Sequence, residues 1–190
     1  MGENLNPLTN QLDAELLDNR VIFLEGEIDT ESVNKIIKQL IILQHRNKKK
    51  PVHLMINSPG GSVYDMFALY DAIQTSDAPI HTYAWGSTMS AAAIILLSGT
   101  SGCRHASENS RIMLHEISDW IEQDSVERFS ESKTRLEESK KLMEMILKIV
   151  RKHTKIKKSD EQLLKEFEKD VYISAVLAKE LGIVDHVIRN

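Results

Sequence analysis

The sequence predicts an α/β domain with a largely parallel sheet. Two observations carry this: segments of period 2 alternate with segments of period 3.6, and the β-α order repeats along the chain. Repeated β-α units bring parallel strands together through right-handed crossovers. The 190 residues, 42% of them hydrophobic, suit one domain that buries about 70% of its unfolded surface.

Taken in order, residues 21–24 (Val21-Ile22-Phe23-Leu24) read as a strand. A helix over 31–44 places Val33, Ile36, Ile37, Leu40, Ile41 and Leu43 on or near its buried face. Residues 52–56 form the next strand and run into Asn57-Ser58-Pro59-Gly60-Gly61, a turn with two adjacent glycines. A helix over 62–74 and a strand over 80–84 lead to an apolar helix over 90–97. The run Arg111-Ile112-Met113-Leu114 is strand-like and ends on His115. From 125 to about 153 lies a long amphipathic helix, with Phe129, Leu136, Met143 and Val150 seven residues apart and Val126, Leu142, Ile146 and Ile149 nearby. Such a stripe reads as core or as a surface for a partner helix. A charged helix over 161–169 then gives way at Asp170 to the strand-like Val171-Tyr172-Ile173-Ser174-Ala175.

Chemistry concentrates at the strand ends. Ser90 follows a strand and a glycine-containing turn and opens a helix, where free backbone N–H groups and a positive dipole end would stabilise an oxyanion. It is the candidate nucleophile, against the plainer reading of a helix cap. Gly60 and Gly61 permit positive φ, so that an N–H turns toward a ligand oxygen and supplies a second oxyanion donor. His115, at the C-terminal end of a strand, is the best placed of seven histidines to act as general base. A carboxylate is then needed to hold the imidazole tautomer, and Asp170 is the choice. Sequence logic alone does not separate it from Asp160 or Asp185.

These motifs together resemble the proteolytic subunit of the ATP-dependent Clp protease family, in order and from about residue 12 to the C-terminus. The resemblance rests on Asn57-Ser58-Pro59-Gly60-Gly61, the segment 86–99 around Ser90, Asn109 through His115, and Asp170 through Ala175. Arg20 through Gly26 and Leu181-Gly182-Ile183-Val184-Asp185 are similar to that family's entry strand and ending. The spacings of 29 positions from Gly61 to Ser90 and 25 from Ser90 to His115 also fit the family. The resemblance implies Ser90 as nucleophile, His115 as base, Asp170 as its orienting group, and the backbone amides of Gly61 and Ala91 as the oxyanion hole. It also implies a serine endopeptidase that cleaves unfolded polypeptides or short peptides through an acyl-enzyme. The implied fold is the spiral of β-β-α units shared by Clp proteases and crotonase-like enzymes, with a projecting handle helix. Residues 1–19 become an N-terminal axial segment, 20–190 a single peptidase domain, and about 117–155 the handle region. Two stacked heptameric rings of identical subunits would enclose the active sites. No metal or organic cofactor is implied in this subunit, and ATP enters only through a partner AAA+ unfoldase.

Three departures mark a divergent member. After His115 the family usually has Gln-Pro and glycines, whereas Glu116-Ile117-Ser118-Asp119-Trp120 follows here. His115 and Asp170 are 55 positions apart, several more than in the family, which lengthens the handle region. The positions that correspond to the aromatic ATPase-docking pocket are His53, Met55 and Thr75, which argues for weak docking. Other classes remain in view: a phage-type or signal-peptide-type serine peptidase of related fold, and a crotonase-like acyl-CoA enzyme.

Composition bounds the partners. The net charge of −4 and the short basic runs at 46–50 and 155–158 give no reason to expect nucleic acid. The longest apolar run, 91–97, is too short to span a bilayer. The polar start lacks a secretory signal, and the single Cys103 needs no oxidising compartment, so the expected location is the cytoplasm.

Overall fold

The computed structural model describes residues 7–117 and 129–189. The chain runs through α1 (Pro7–Asp18), β1 (Val21–Ile28), α2 (Thr30–Arg46), β2 (Val52–Gly61), α3 (Val63–Gln74), β3 (Ile80–Met89) and α4 (Ala91–Leu97). It continues through β4 (Arg104–Ser107), β5 (Arg111–Leu114), α5 (Phe129–His153), α6 (Asp160–Phe167), β6 (Val171–Ser174), α7 (Ala175–Glu180) and β7 (His186–Ile188). The strands lie in the order β1-β2-β3-β4-β7, each neighbouring pair parallel. β3 changes partner along its length: Thr82 to Ala84 pair with β4, and Ser87 to Met89 pair in parallel with β5. β6 then joins β5 antiparallel, so the sheet is mixed at that one edge.

The elements form where the apolar spacing places them, and their caps explain their limits. Asp29 caps α2 in a reciprocal box with Ser32, which starts the helix at Thr30 rather than at 31. Val33, Ile36, Leu40 and Leu43 face the sheet, whereas Ile41 is exposed. β2 runs past Ile56 to Gly61, because Gly60 and Gly61 continue the ladder to Glu27 and Ile28 of β1. β3 likewise extends to Met89 instead of ending at Ala84. α4 is buried on every side, and each of its Ile and Leu side chains contributes about 1.5–3 kcal/mol of hydrophobic stabilisation.

The long helix divides into two parts. Leu142, Met143, Ile146, Leu147, Ile149 and Val150 of α5 are buried in this chain's own core, while Leu136 is 53% exposed. The seven-residue stripe is therefore core over its C-terminal half and open surface at Leu136. Val126 and the beginning of the expected helix at 125 lie outside the described residues, as do the early part of the handle region (118–128) and residues 1–6. α1 rests on the body of the fold through Leu17 and through ion pairs from Asp13 to Lys35 and from Asp18 to Arg46.

Arg104 and Asp185 lock the C-terminal segment to β4. Nε and Nη2 of the guanidinium donate to the two carboxylate oxygens, at 3.0 and 2.7 Å, and the backbone N–H groups of Gly102 and Arg104 donate to the same group. Arg104 also donates to the carbonyl of His153 at the end of α5, which joins three distant parts of the chain. Its charge-assisted hydrogen bonds hold the Asp185 carboxyl below the usual range, against the opposing effect of burial.

One face of the sheet carries a row of rings, His53 on β2, His81 and Tyr83 on β3, His105 on β4 and His186 on β7. Neighbouring ring centres are 4.6–6.0 Å apart. Burial, and for His53 and His105 the neighbouring imidazoles, lower the pKa values of His53, His81 and His105. On the other side of the fold, burial beside Lys152 and Arg104 lowers His153 to about 4. The folded chain thus takes up protons less readily than the unfolded chain, whose histidines titrate near ~6.5. Stability from these groups is complete above that pH and declines as pH falls toward 4. The unfolding midpoint is expected to be lower at pH 5 than at pH 7.5, and the gap smaller in His153→Gln. An equal gap in the two proteins would contradict this.

Candidate active site

The turn between β3 and α4 sets the candidate nucleophile. Ser90 has φ 54° and ψ −124°, a conformation that costs a residue with a side chain about 1–3 kcal/mol. It precedes the helix as its N-cap residue and is not part of the helix itself, a correction to the expected helix over 90–97. Its hydroxyl makes no capping hydrogen bond, so the plain reading of a helix cap fails. The Oγ is instead 2.7 Å from Nε2 of His115. The Ser90 N–H donates to the carbonyl of Met113, which pins the turn to β5 two residues before the histidine. Parallel pairing of β3 with β5 is what brings a strand-end serine and a strand-end histidine together.

Asp170 lies at the start of β6, on the far side of the imidazole. Its Oδ1 is 3.8 Å from Nδ1 of His115, beyond a direct hydrogen bond, and its side chain is 53% exposed. The other two aspartates are committed elsewhere: Asp160 pairs with Arg151 and Asp185 with Arg104. Of the three, Asp170 is the one beside His115. It would favour the ring tautomer with the proton on Nδ1, which leaves Nε2 free to accept from Ser90.

The double-glycine turn stands against the nucleophile from the β2 side. Gly60 and Gly61 have φ of 103° and 149°, the freedom their type suggested. A Cβ on Gly60 would be 2.7 Å from Cβ of Ser90, and one on Gly61 would be 2.3 Å from the Ile28 carbonyl oxygen. Only glycine allows this three-way approach of β1, β2 and the Ser90 turn. Ala91 begins α4, so its N–H lies in the first turn of the helix, where backbone donors have no intrahelical partner.

A cleft of about 650 Å³ opens beside Ser90 and His115. Val63, Met66, Ile94, Leu142, Ile146 and Phe167 give it an apolar lining. Glu116, also on its wall, donates its backbone N–H to the carbonyl of Phe167, which ties the segment after His115 to α6. The side chains of α5, α6 and β5 that form this cleft are far apart in sequence, and the motifs alone did not point to them. Among the described residues no group of three or more His, Cys, Asp or Glu is arranged to hold a metal, and no helix is long and apolar enough to cross a membrane.

A profile of the Clp protease family matches residues 6–190. The chain belongs to the Clp protease family. It is 36% identical over 173 residues to ATP-dependent Clp protease proteolytic subunit 1 of Rhodopirellula baltica, covering 91% of this chain and 74% of that protein. It is 36% identical over 177 residues to proteolytic subunit 2 of Frankia casuarinae, covering 93% and 79%. The proteolytic subunit of Deinococcus radiodurans is 33% identical over 175 residues, covering 92% and 83%. The α/β architecture with its mixed sheet is that of the Clp protease family.

At the positions where Clp ATPases were expected to dock, His53 and Met55 are half-buried on β2, and Thr75 ends α3 with its hydroxyl bonded to the Asp71 carbonyl. His53 Nδ1 is 2.9 Å from the Tyr83 hydroxyl, within the ring row described above. That row is not apparent in the sequence, since its members come from four strands.

Proposed function

We propose that the chain is the serine endopeptidase subunit of a self-compartmentalised Clp-type protease, cleaving unfolded polypeptides or short peptides. The observation that carries this reading is the 2.7 Å contact of Ser90 Oγ with His115 Nε2 at a strained strand-to-helix turn. Ser90 Oγ attacks the scissile carbonyl as His115 takes its proton, and the N–H groups of Gly61 and Ala91 receive the developing oxyanion. The tetrahedral species collapses with cleavage of the C–N bond, and the imidazolium gives its proton to the leaving amine. A water, deprotonated by His115, then releases the acyl group from Ser90. Asp170 orients the ring and stabilises its charged form through a partly solvated contact.

The same reading places the subunits in two stacked heptameric rings in the cytoplasm. Residues 1–19 form the axial segment and about 117–155 the handle. The relatives are named as proteolytic subunits of an ATP-dependent protease, which supports a role as one component of an assembly. The subunit itself carries no cofactor, and ATP enters through an AAA+ unfoldase. His53, Met55 and Thr75, where hydrophobic loops would dock, favour weak binding of a standard unfoldase. The 2.7 Å Ser90–His115 pair and the family membership favour this over a crotonase-like enzyme or a phage-type peptidase. Purified protein is expected to cleave short peptides without nucleotide, to spare folded proteins, and to scatter light as a particle of two rings. A fully active single chain would contradict the assembly.

A further inference from the structure

We propose that Asn57 and Ser58 are positioning residues, a clamp at the end of β2 that sets the nucleophile turn against the oxyanion turn. The inference rests on the serine peptidase reading above. The pairing of β2 with β3 slips at this point: Ile56 pairs with Ala84, and Ser58 next pairs with Thr88. One residue of β2, Asn57, therefore opposes three of β3, Trp85, Gly86 and Ser87. The slip coincides with the place where β3 leaves β4 after Ala84 and takes up β5 at Ser87. This bend delivers Ser90 to the end of β5, beside His115. A bulge of this kind strands backbone donors. Asn57 fills it with its side chain, and its Oδ1 accepts the N–H of Ser87 at 3.1 Å. Gly86, at φ 58°, leaves room for that amide, since a Cβ there would be 3.1 Å from the same Oδ1.

Ser58 acts on the other side. It is completely buried, and its Oγ accepts the N–H of Gly60 at 3.1 Å, across the first step of the double-glycine turn. Gly60 packs directly on Ser90, and Gly61 follows it, so the Ser58 hydroxyl braces the loop that presents the Gly61 amide. Two consecutive side chains thus hold the two halves of the catalytic cradle, and neither touches the reacting atoms. Misplacement on the scale of 1 Å costs catalysis about 100-fold.

The test compares Asn57→Ala, Asn57→Asp and Ser58→Ala with the native assembly, using a peptide substrate, a serine-directed fluorophosphonate and hydrogen exchange. A positioning role lowers kcat in Asn57→Ala by about 10–100-fold with KM little changed, at temperatures well below unfolding. Asn57→Asp, which keeps the acceptor oxygen, recovers most of the rate. Hydrogen exchange over residues 85–90 accelerates in Asn57→Ala and not in Asn57→Asp, a result that holds whatever the enzyme's activity. Ser58→Ala gives the same kinetic pattern, with faster exchange at Gly60. Unchanged kcat and unchanged exchange in Asn57→Ala, or an Asn57→Asp variant as slow as Asn57→Ala, would overturn the proposal. Native protein that never labels at Ser90, while exchange still responds as described, would overturn the peptidase reading and leave the clamp standing as a structural device.

Discussion

Replacing Ser90 with alanine is expected to lower kcat for peptide cleavage by about 10⁴–10⁶-fold while leaving folding and assembly intact. The effect is large because, in the proposed mechanism, the Ser90 oxygen is the atom that bonds to the substrate carbonyl. It is selective because, among the described residues, the Oγ caps no helix and hydrogen-bonds to His115. Removal of Oγ should if anything relieve crowding at the turn. His115→Ala should fall in the same range, and the double variant should be no slower than the worse single one, since the two act as a unit. Peptide turnover by rigorously purified Ser90→Ala within tenfold of native would place the nucleophile elsewhere.

Gly61→Ala is expected to damage both catalysis and stability. The new Cβ would meet the backbone of β1, with the Ile28 carbonyl oxygen at 2.3 Å and its nitrogen at 2.7 Å, and neither atom can swing away as a side-chain tip would. At φ 149° the residue is also strained on its own account. Either β1 or the Gly60-Gly61 segment must shift, which would move the Gly61 N–H away from its proposed place in the oxyanion hole. Loss of one such donor costs about 10²–10³ in kcat. Gly102→Ala supplies the control: its φ of 85° is equally disfavoured, but nothing lies within 4 Å of the added Cβ. That variant should lose stability on the order of 1 kcal/mol and keep its kcat. Equal kinetic losses in the two variants would mean that strain in general, and not the Ile28 contact, is responsible.

Much of the site was legible because the chemistry sits at element ends, where residue type and local geometry are coupled. A glycine pair can adopt the positive φ that a close approach needs, and an apolar run that stops at a histidine presents it at a strand end. What could not be read was pairing across the chain. The bulge at Asn57 exists because β3 changes neighbours, and no local pattern reports a neighbour. For the same reason β2 and β3 were expected to stop short: Pro59, Gly60 and Gly61 look like a loop until Glu27 and Ile28 are placed beside them. Period left one alternative open, since a seven-residue stripe reads alike whether it faces another chain or its own core. Met143 and Val150 are buried within the chain, and Leu136 is open. The carboxylate was ambiguous for a related reason: Asp160 and Asp185 are removed from contention only by Arg151 and Arg104, partners that spacing does not reveal.

The most direct measurement is covalent labelling of the native protein with a fluorophosphonate, followed by mass spectrometry of the intact chain and of its peptides. The reading of Ser90 as a nucleophile activated by His115 requires one adduct per chain, carried on Ser90. Labelling should be abolished in Ser90→Ala and slowed by orders of magnitude in His115→Ala. Stoichiometric labelling of a different serine, or labelling of Ser90 at an undiminished rate in His115→Ala, would contradict it.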